Sequence, residues 1–321
     1  MDRNFRKLAL EQLQKLAGPL TDAVEKAFPS SGGEKKYSQL KVSLSGPPGC
    51  SSVFWPGPQV IQPDGSVNFI IWFRGGNTKA LAQANSNAIL ITADIMSVNI
   101  PKDPAASAAF KAKWGLPPDA TGMGGMAAGL VYGNAAFVNN AVSSVMNQLK
   151  QQLNRNDLKV GKVAFVGWSG GYDPIRRILK DKNNLATPIK NNLDSVVLLD
   201  GMHSSKTNGN VNPNDMKEWV EWAKEAMKDP SKKFYIAHSA IPTDYGSTTE
   251  TSNYLLQTLG LQRNKANENI GGVNIASKAG QGGLQVFQAF DNSKVPLDSL
   301  KKQHVDVLNM GGDILKNIFN S

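Results

Sequence analysis

The chain has 321 residues, 40% apolar and 19% charged, with a formal net charge of +9. That length suffices to bury one large core, and no apolar run approaches the roughly 20 residues that a bilayer span needs. A single cysteine, Cys50, excludes an internal disulfide and a cysteine-built metal cluster.

Residues 4–28 place Leu8, Leu10, Leu13, Leu16, Val24 and Phe28 at helical spacing, with Pro19 as a break. Pro29-Ser30-Ser31-Gly32-Gly33 then reads as a flexible join. Residues 1–37 are therefore expected to form a helical arm and linker, either packed on the protein or docking a partner. Met1–Arg6 lacks the apolar core of a secretory signal. This leans toward a cytoplasmic protein, with export by another route or a trimmed chain left open.

Strands are predicted at about 38–44, 58–62, 67–74, 88–95, 162–167, 194–200, 233–238 and 284–290. From the third onward most are continuous apolar runs, the pattern of strands covered on both faces. Helices are predicted near 134–152, 215–228 and 248–259, the last opening on the capping box Ser247-Thr248-Thr249-Glu250 and stopping at Gly260. The alternation predicts an α/β domain over 38–321, with a mostly parallel central sheet and helices on both faces. The longest irregular stretch, about 96–131, carries Pro101, Pro104, Trp114, Pro117-Pro118 and Gly122 to Met126. It reads as a lid-like insertion, with a plain surface excursion as the alternative.

The most informative motif is Gly167-Trp168-Ser169-Gly170-Gly171. It stands between a predicted strand, Lys162–Val166, and a segment, Ile175–Leu179, with helical apolar spacing. In that setting G-x-S-x-G is a nucleophile elbow, in which glycines remove the Cβ atoms that would collide with strand and helix. Pro174 leaves room for the turn to run on to Asp173, which would then act as N-cap. The next predicted strand ends in Asp200. His304 lies between the strand at 284–290 and a final helix expected over Val305–Phe319.

A serine hydroxyl needs a base within hydrogen-bond reach, and the chain has three histidines. His304 is the favoured base, whereas His203 and His238 would line a pocket or be satisfied in the core. Asp200 is the favoured orienting acid because it ends a clean apolar run; Asp244 is the alternative. Three scattered histidines give no convincing metal-ligand set, and nothing calls for a cofactor.

From residue 38 onward the chain resembles the α/β-hydrolases of the serine esterase and lipase kind, whose triad follows the order Ser169, Asp200, His304. Ile70-Ile71-Trp72-Phe73-Arg74-Gly75-Gly76-Asn77 resembles the strand and loop that supply the family's oxyanion hole, although Arg74 stands where many members have histidine. The resemblance implies oxyanion donors at Gly170 and within the loop at Gly75 and Gly76. It also implies an ester substrate, small or polymer-borne, cleaved through an acyl-enzyme. A non-catalytic protein that kept the fold, or an acyltransferase using the same triad, would read alike in sequence. The lysines are scattered, so the charge reads as a solvated surface with no specific nucleic-acid footprint. An anionic polymer or membrane surface stays open as a partner, and the oligomeric state is unknown from sequence.

Overall fold

The computed structural model describes residues 38–39, 51–73, 87–94, 100–114, 116, 118, 125–290 and 297–319. They fall into two compact units, one within Glu34–Asp194 and one within Ser195–Ser321. The expected arm at 1–37 lies outside the described residues.

The described strands of the first unit are β1 (Ser38–Gln39), β2 (Ser51–Trp55), β3 (Ser66–Phe73), β4 (Ile89–Ala93) and β5 (Lys159–Trp168). Their order is β1-β2-β4-β3-β5. β3 runs parallel to both β4 and β5, and β2 is antiparallel to β4 and to β1. Val67 to Phe73 are all buried, which is why this run, Asn68 apart, is apolar without alternation. Phe73 meets Phe165 and Phe137 edge-to-face, with ring centroids 6.0 and 6.4 Å apart.

Helices α1 (Pro104–Trp114), α2 (Gly125–Tyr132), α3 (Ala135–Leu153), α4 (Tyr172–Lys180) and α5 (Thr187–Asn192) complete this unit. α3 buries Phe137, Val138, Ala141, Val142, Val145 and Leu149, one apolar stripe at helical spacing. It is capped by Asn134, whose Oδ1 accepts the Phe137 N–H at 2.9 Å.

Three expectations need correction here. The strand expected at 58–62 is a 3-10 turn, Pro58–Val60, and a strand that was not expected lies just before it at Ser51–Trp55. The stretch 96–131 is not wholly irregular, because α1 and α2 lie in it. Pro104 is no helix breaker there: it occupies the first helical position, and Asp103 before it accepts the Ala106 N–H at 2.8 Å. Asp173 is not an N-cap, since α4 already begins at Tyr172 and Asp173 lies in its first turn.

In the second unit β6 (Leu193–Leu199) pairs parallel with β9 (Lys233–His238) from Ser195 onward. Between them lie a short hairpin, β7 (Lys206–Thr207) with β8 (Asn210–Val211), and α6 (Pro213–Lys228). α7 (Thr248–Thr258), β10 (Asn264–Ile270), β11 (Val273–Gln281), β12 (Leu284–Gln288) and α8 (Leu297–Phe319) follow. The order here is β6-β9-β12-β11-β10, with β12 parallel to β9 and the β12, β11 and β10 edge antiparallel. On α6, Trp219 is buried and stacks on Phe234 at 6.0 Å. Each unit thus has parallel strands at its heart, antiparallel strands at one side, and packed helices.

The β10–β11 hairpin is absent from the sequence-based assignment because its residues are mainly Asn, Lys, Glu, Ser and Ala, with little burial on β10. The final helix also differs from expectation. It opens at Leu297, so His304 lies inside a helix and not in a loop before one. The polar run Lys301-Lys302-Gln303-His304 reads like a loop but is one turn of α8. Lys302 pairs with Asp306 one turn on, at 2.6 Å.

Candidate active site

The serine turn lies in the first unit. β5 ends at Trp168, Ser169–Gly171 form a single 3-10 turn, and α4 starts at once. Ser169 has φ 52°, the left-handed region that a side chain enters only at a cost of about 1–3 kcal/mol. Its flanking glycines are required by contact. A Cβ at Gly167 would fall 2.8 Å from the Gly171 carbonyl carbon, and one at Gly171 would run into the Phe73 carbonyl at the end of β3. Strand, turn and helix are therefore closer together than any side chain at 167 or 171 would allow.

Asp173 anchors the helix side of the turn. Its carboxylate accepts from Arg177 Nε at 2.8 Å and from Arg176 Nη2 at 3.2 Å. α2 packs on both the turn and α4. It comes so close that a Cβ at Gly129 would lie 2.5 Å from Asp173 Oδ2. Ser169 itself is 3% exposed. Gly170 is the residue after the serine, within the same turn. Gly75 and Gly76, like Arg74 and Asn77, lie outside the described residues.

A separate polar cluster lies at the carboxyl ends of β6 and β9 in the second unit. Asp200 follows β6 directly, with φ 46° and its N–H on the Ala237 carbonyl at 2.7 Å. This fixes the backbone and leaves the side chain to be gripped by four donors. Ser239 N–H and the Thr248 hydroxyl reach Oδ1 at 3.0 and 2.7 Å. The Ser239 hydroxyl and His304 Nδ1 reach Oδ2 at 2.7 and 2.6 Å.

Burial by itself would raise the Asp200 carboxyl. The hydrogen bond and charge of His304, and then the Ser239 donors, outweigh it and hold the group well below the usual carboxylate range. An ionised carboxylate can only accept, so the proton of this bond belongs to His304 Nδ1. In the neutral ring the lone pair is then on Nε2, the nitrogen able to take up a proton.

Asp244 is exposed, whereas Asp200 is 3% exposed and holds the imidazole. His238 is a satisfied core histidine. Its Nδ1 lies 2.8 Å from the Ser239 carbonyl, and its Nε2 lies 2.9 Å from Arg263 Nη2. Burial, with the nearby Arg263 charge, pulls it down to about 4, so it is neutral near pH 7. His203 stands edge-on to Tyr245 at 5.0 Å.

Two residues that hold the site were not singled out in sequence. Ser239 gives no signal beyond following a strand. Thr248 is visible only as part of a capping box; its neighbours Ser247 and Glu250 form that box, steadied by Lys206 at 2.8 Å from Glu250.

The described strands and helices make an α/β architecture, with parallel strands and packed helices in each unit. No protein-family model matches the sequence, and no curated protein does.

Solved structures similar to the chain include an S-formylglutathione hydrolase from Agrobacterium tumefaciens, at 12% identity and TM-score 0.37, covering 84% of this chain and 88% of that one. An IroE-like serine hydrolase from Shewanella oneidensis is similar at 11% identity and TM-score 0.42, covering 83% and 75%. Carboxyl esterase 2 from the mycorrhizal fungus Tuber melanosporum is similar at 12% identity and TM-score 0.35, covering 92% and 98%. Among the described residues no helix is long and apolar enough to cross a membrane.

Proposed function

We propose that the protein is a serine hydrolase that cleaves carboxylic esters through an acyl-enzyme on Ser169. The observation that carries this reading is the buried Asp200–His304 hydrogen bond, because it sets the imidazole in the tautomer that a general base requires. In this mechanism His304 Nε2 takes the Ser169 proton as the hydroxyl oxygen attacks the ester carbonyl. Asp200 stays ionised and stabilises the imidazolium. The proton then passes to the leaving alcohol, and water repeats the sequence to release the acid and restore Ser169. Charge on the carbonyl oxygen is met by the backbone N–H of Gly170 and by donors from the Gly75-Gly76 loop.

The left-handed backbone of Ser169 supports the same reading, since strain of this kind is kept where a side chain must be presented in one direction. The test is a fluorophosphonate probe applied to wild type and to Ser169→Ala, alongside hydrolysis of short- and long-chain p-nitrophenyl esters. Labelling and turnover in the wild type only are expected. A folded wild type that neither labels nor turns over, with or without an added alcohol acceptor, would refute the reading.

A further inference from the structure

Behind Asp200 a row of hydrogen bonds leads away from the imidazole of His304 to a half-buried arginine, Arg263. Ser239 gives both its N–H and its hydroxyl to the carboxylate. Its own carbonyl accepts from His238 Nδ1 at 2.8 Å and from the Thr249 hydroxyl at 3.0 Å. His238 is fully buried, and its other ring nitrogen faces Arg263 Nη2 at 2.9 Å. A guanidinium has only donors, so His238 Nε2 must accept and Nδ1 must carry the ring proton. That is the one tautomer able to donate to the Ser239 carbonyl.

The arrangement is costly for the fold. Arg263 Nε reaches Asn253 Oδ1 at 3.2 Å, while Nη1 is buried with no hydrogen-bond partner among the described residues. A buried donor left unmade is a penalty that packing alone would remove by replacing the side chain with an apolar one.

We propose that Arg263 and His238 are positioning residues of the Asp200–His304 pair, acting through Ser239. The guanidinium sets the tautomer of His238, the imidazole holds the Ser239 peptide, and Ser239 aims the carboxylate at His304. The inference rests on the esterase reading for its catalytic meaning, but not for its structural content. Thr249 alone cannot do this work, because its hydroxyl rotates and specifies no direction.

The test uses Arg263→Met, Arg263→Lys, His238→Phe and His238→Asn in the full chain. Asparagine keeps an amide N–H near the position of Nδ1, whereas phenylalanine keeps only the ring. Two readouts apply to each folded variant: the imidazole NMR signals, which report the His238 tautomer and the His304 Nδ1–H resonance, and kcat and KM for p-nitrophenyl acetate.

Arg263→Met is expected to mix the His238 tautomers, shift the His304 resonance and lower kcat about tenfold at nearly constant KM, the worth of roughly one hydrogen bond of orientation. His238→Phe is expected to do at least as much, while His238→Asn and Arg263→Lys recover most of both signals. An unmoved His304 resonance in folded Arg263→Met and His238→Phe would overturn the proposal. So would His238→Asn matching His238→Phe. A wild type without turnover or labelling would sink the esterase reading instead, and the resonances alone would then decide the relay.

Discussion

Replacing Asp200 by asparagine tests the tautomer argument most directly, because the structure dictates where the new amide must turn. Oδ1 accepts from the Ser239 N–H, a donor that cannot reverse. Placing the amide nitrogen there would set two donors face to face in a buried site, at a cost of about 1–3 kcal/mol. The amide nitrogen therefore takes the Oδ2 position. It meets the Ser239 hydroxyl, which can rotate to accept, and His304 Nδ1, which can accept only by giving up its proton. The ring responds by protonating Nε2, and the lone pair that the proposed mechanism requires there is lost.

A wrong-tautomer base of this kind costs about 10⁴ in kcat, or roughly 5 kcal/mol of transition-state stabilisation. The substitution is isosteric, so KM and the far-ultraviolet spectrum should hold. Ester turnover at pH 7.5 and the imidazole NMR signals of the variant supply the two measurements. Activity within tenfold of wild type, or a His304 that still carries its proton on Nδ1, would refute the reasoning.

Gly171→Ala should destabilise the first unit by about 3 kcal/mol or more, because the new methyl meets the Phe73 carbonyl and neither strand nor turn can give way cheaply; urea unfolding measures this, and a change under 1 kcal/mol would show the turn to be looser than drawn. Stability should also fall on mild acidification through His238, which faces Arg263 and lies near Asp200. Its folded value of about 4 is below the usual 6.5, so the unfolded chain binds the extra proton first. Stability is then lost as pH falls from about 6.5 to 4, by about 3 kcal/mol in all, and His238→Asn should flatten this slope in denaturant titrations across that window. Asp200, held below the carboxylate range, adds its own loss only at lower pH.

Part of the candidate site was legible because Ser169, Asp200 and Ser239 follow the ends of strands. β5, β6 and β9 carry continuous apolar runs at 163–166, 196–199 and 234–237, and an apolar run that stops just before Ser169 or Asp200 marks a strand end. The glycines at 167 and 171 announced a close approach that the Cβ contacts bear out. Elements defined by polar residues were harder to see. The β10–β11 hairpin has so little buried surface that period-two alternation never emerges; its clearest sign is Gly271-Gly272, both at positive φ in a tight hairpin turn. His304 reads in sequence as a candidate base in a loop but lies inside α8, because the lysines beside it mask the helical spacing of Gln303, Val307 and Leu308. Ser239 and Arg263 were not legible at all. Their roles come from hydrogen bonds to residues 39 and 25 positions away.

The placement of His304 on a 23-residue helix has a consequence for how this imidazole moves. A ring on a loop drifts with the loop. This one shares a rigid rod with Val307, Leu308, Met310, Ile314 and Leu315, all buried. Its excursions are therefore those of the hydrophobic interior, and softening that interior several turns away would blur the ring's aim before any change appeared beside it.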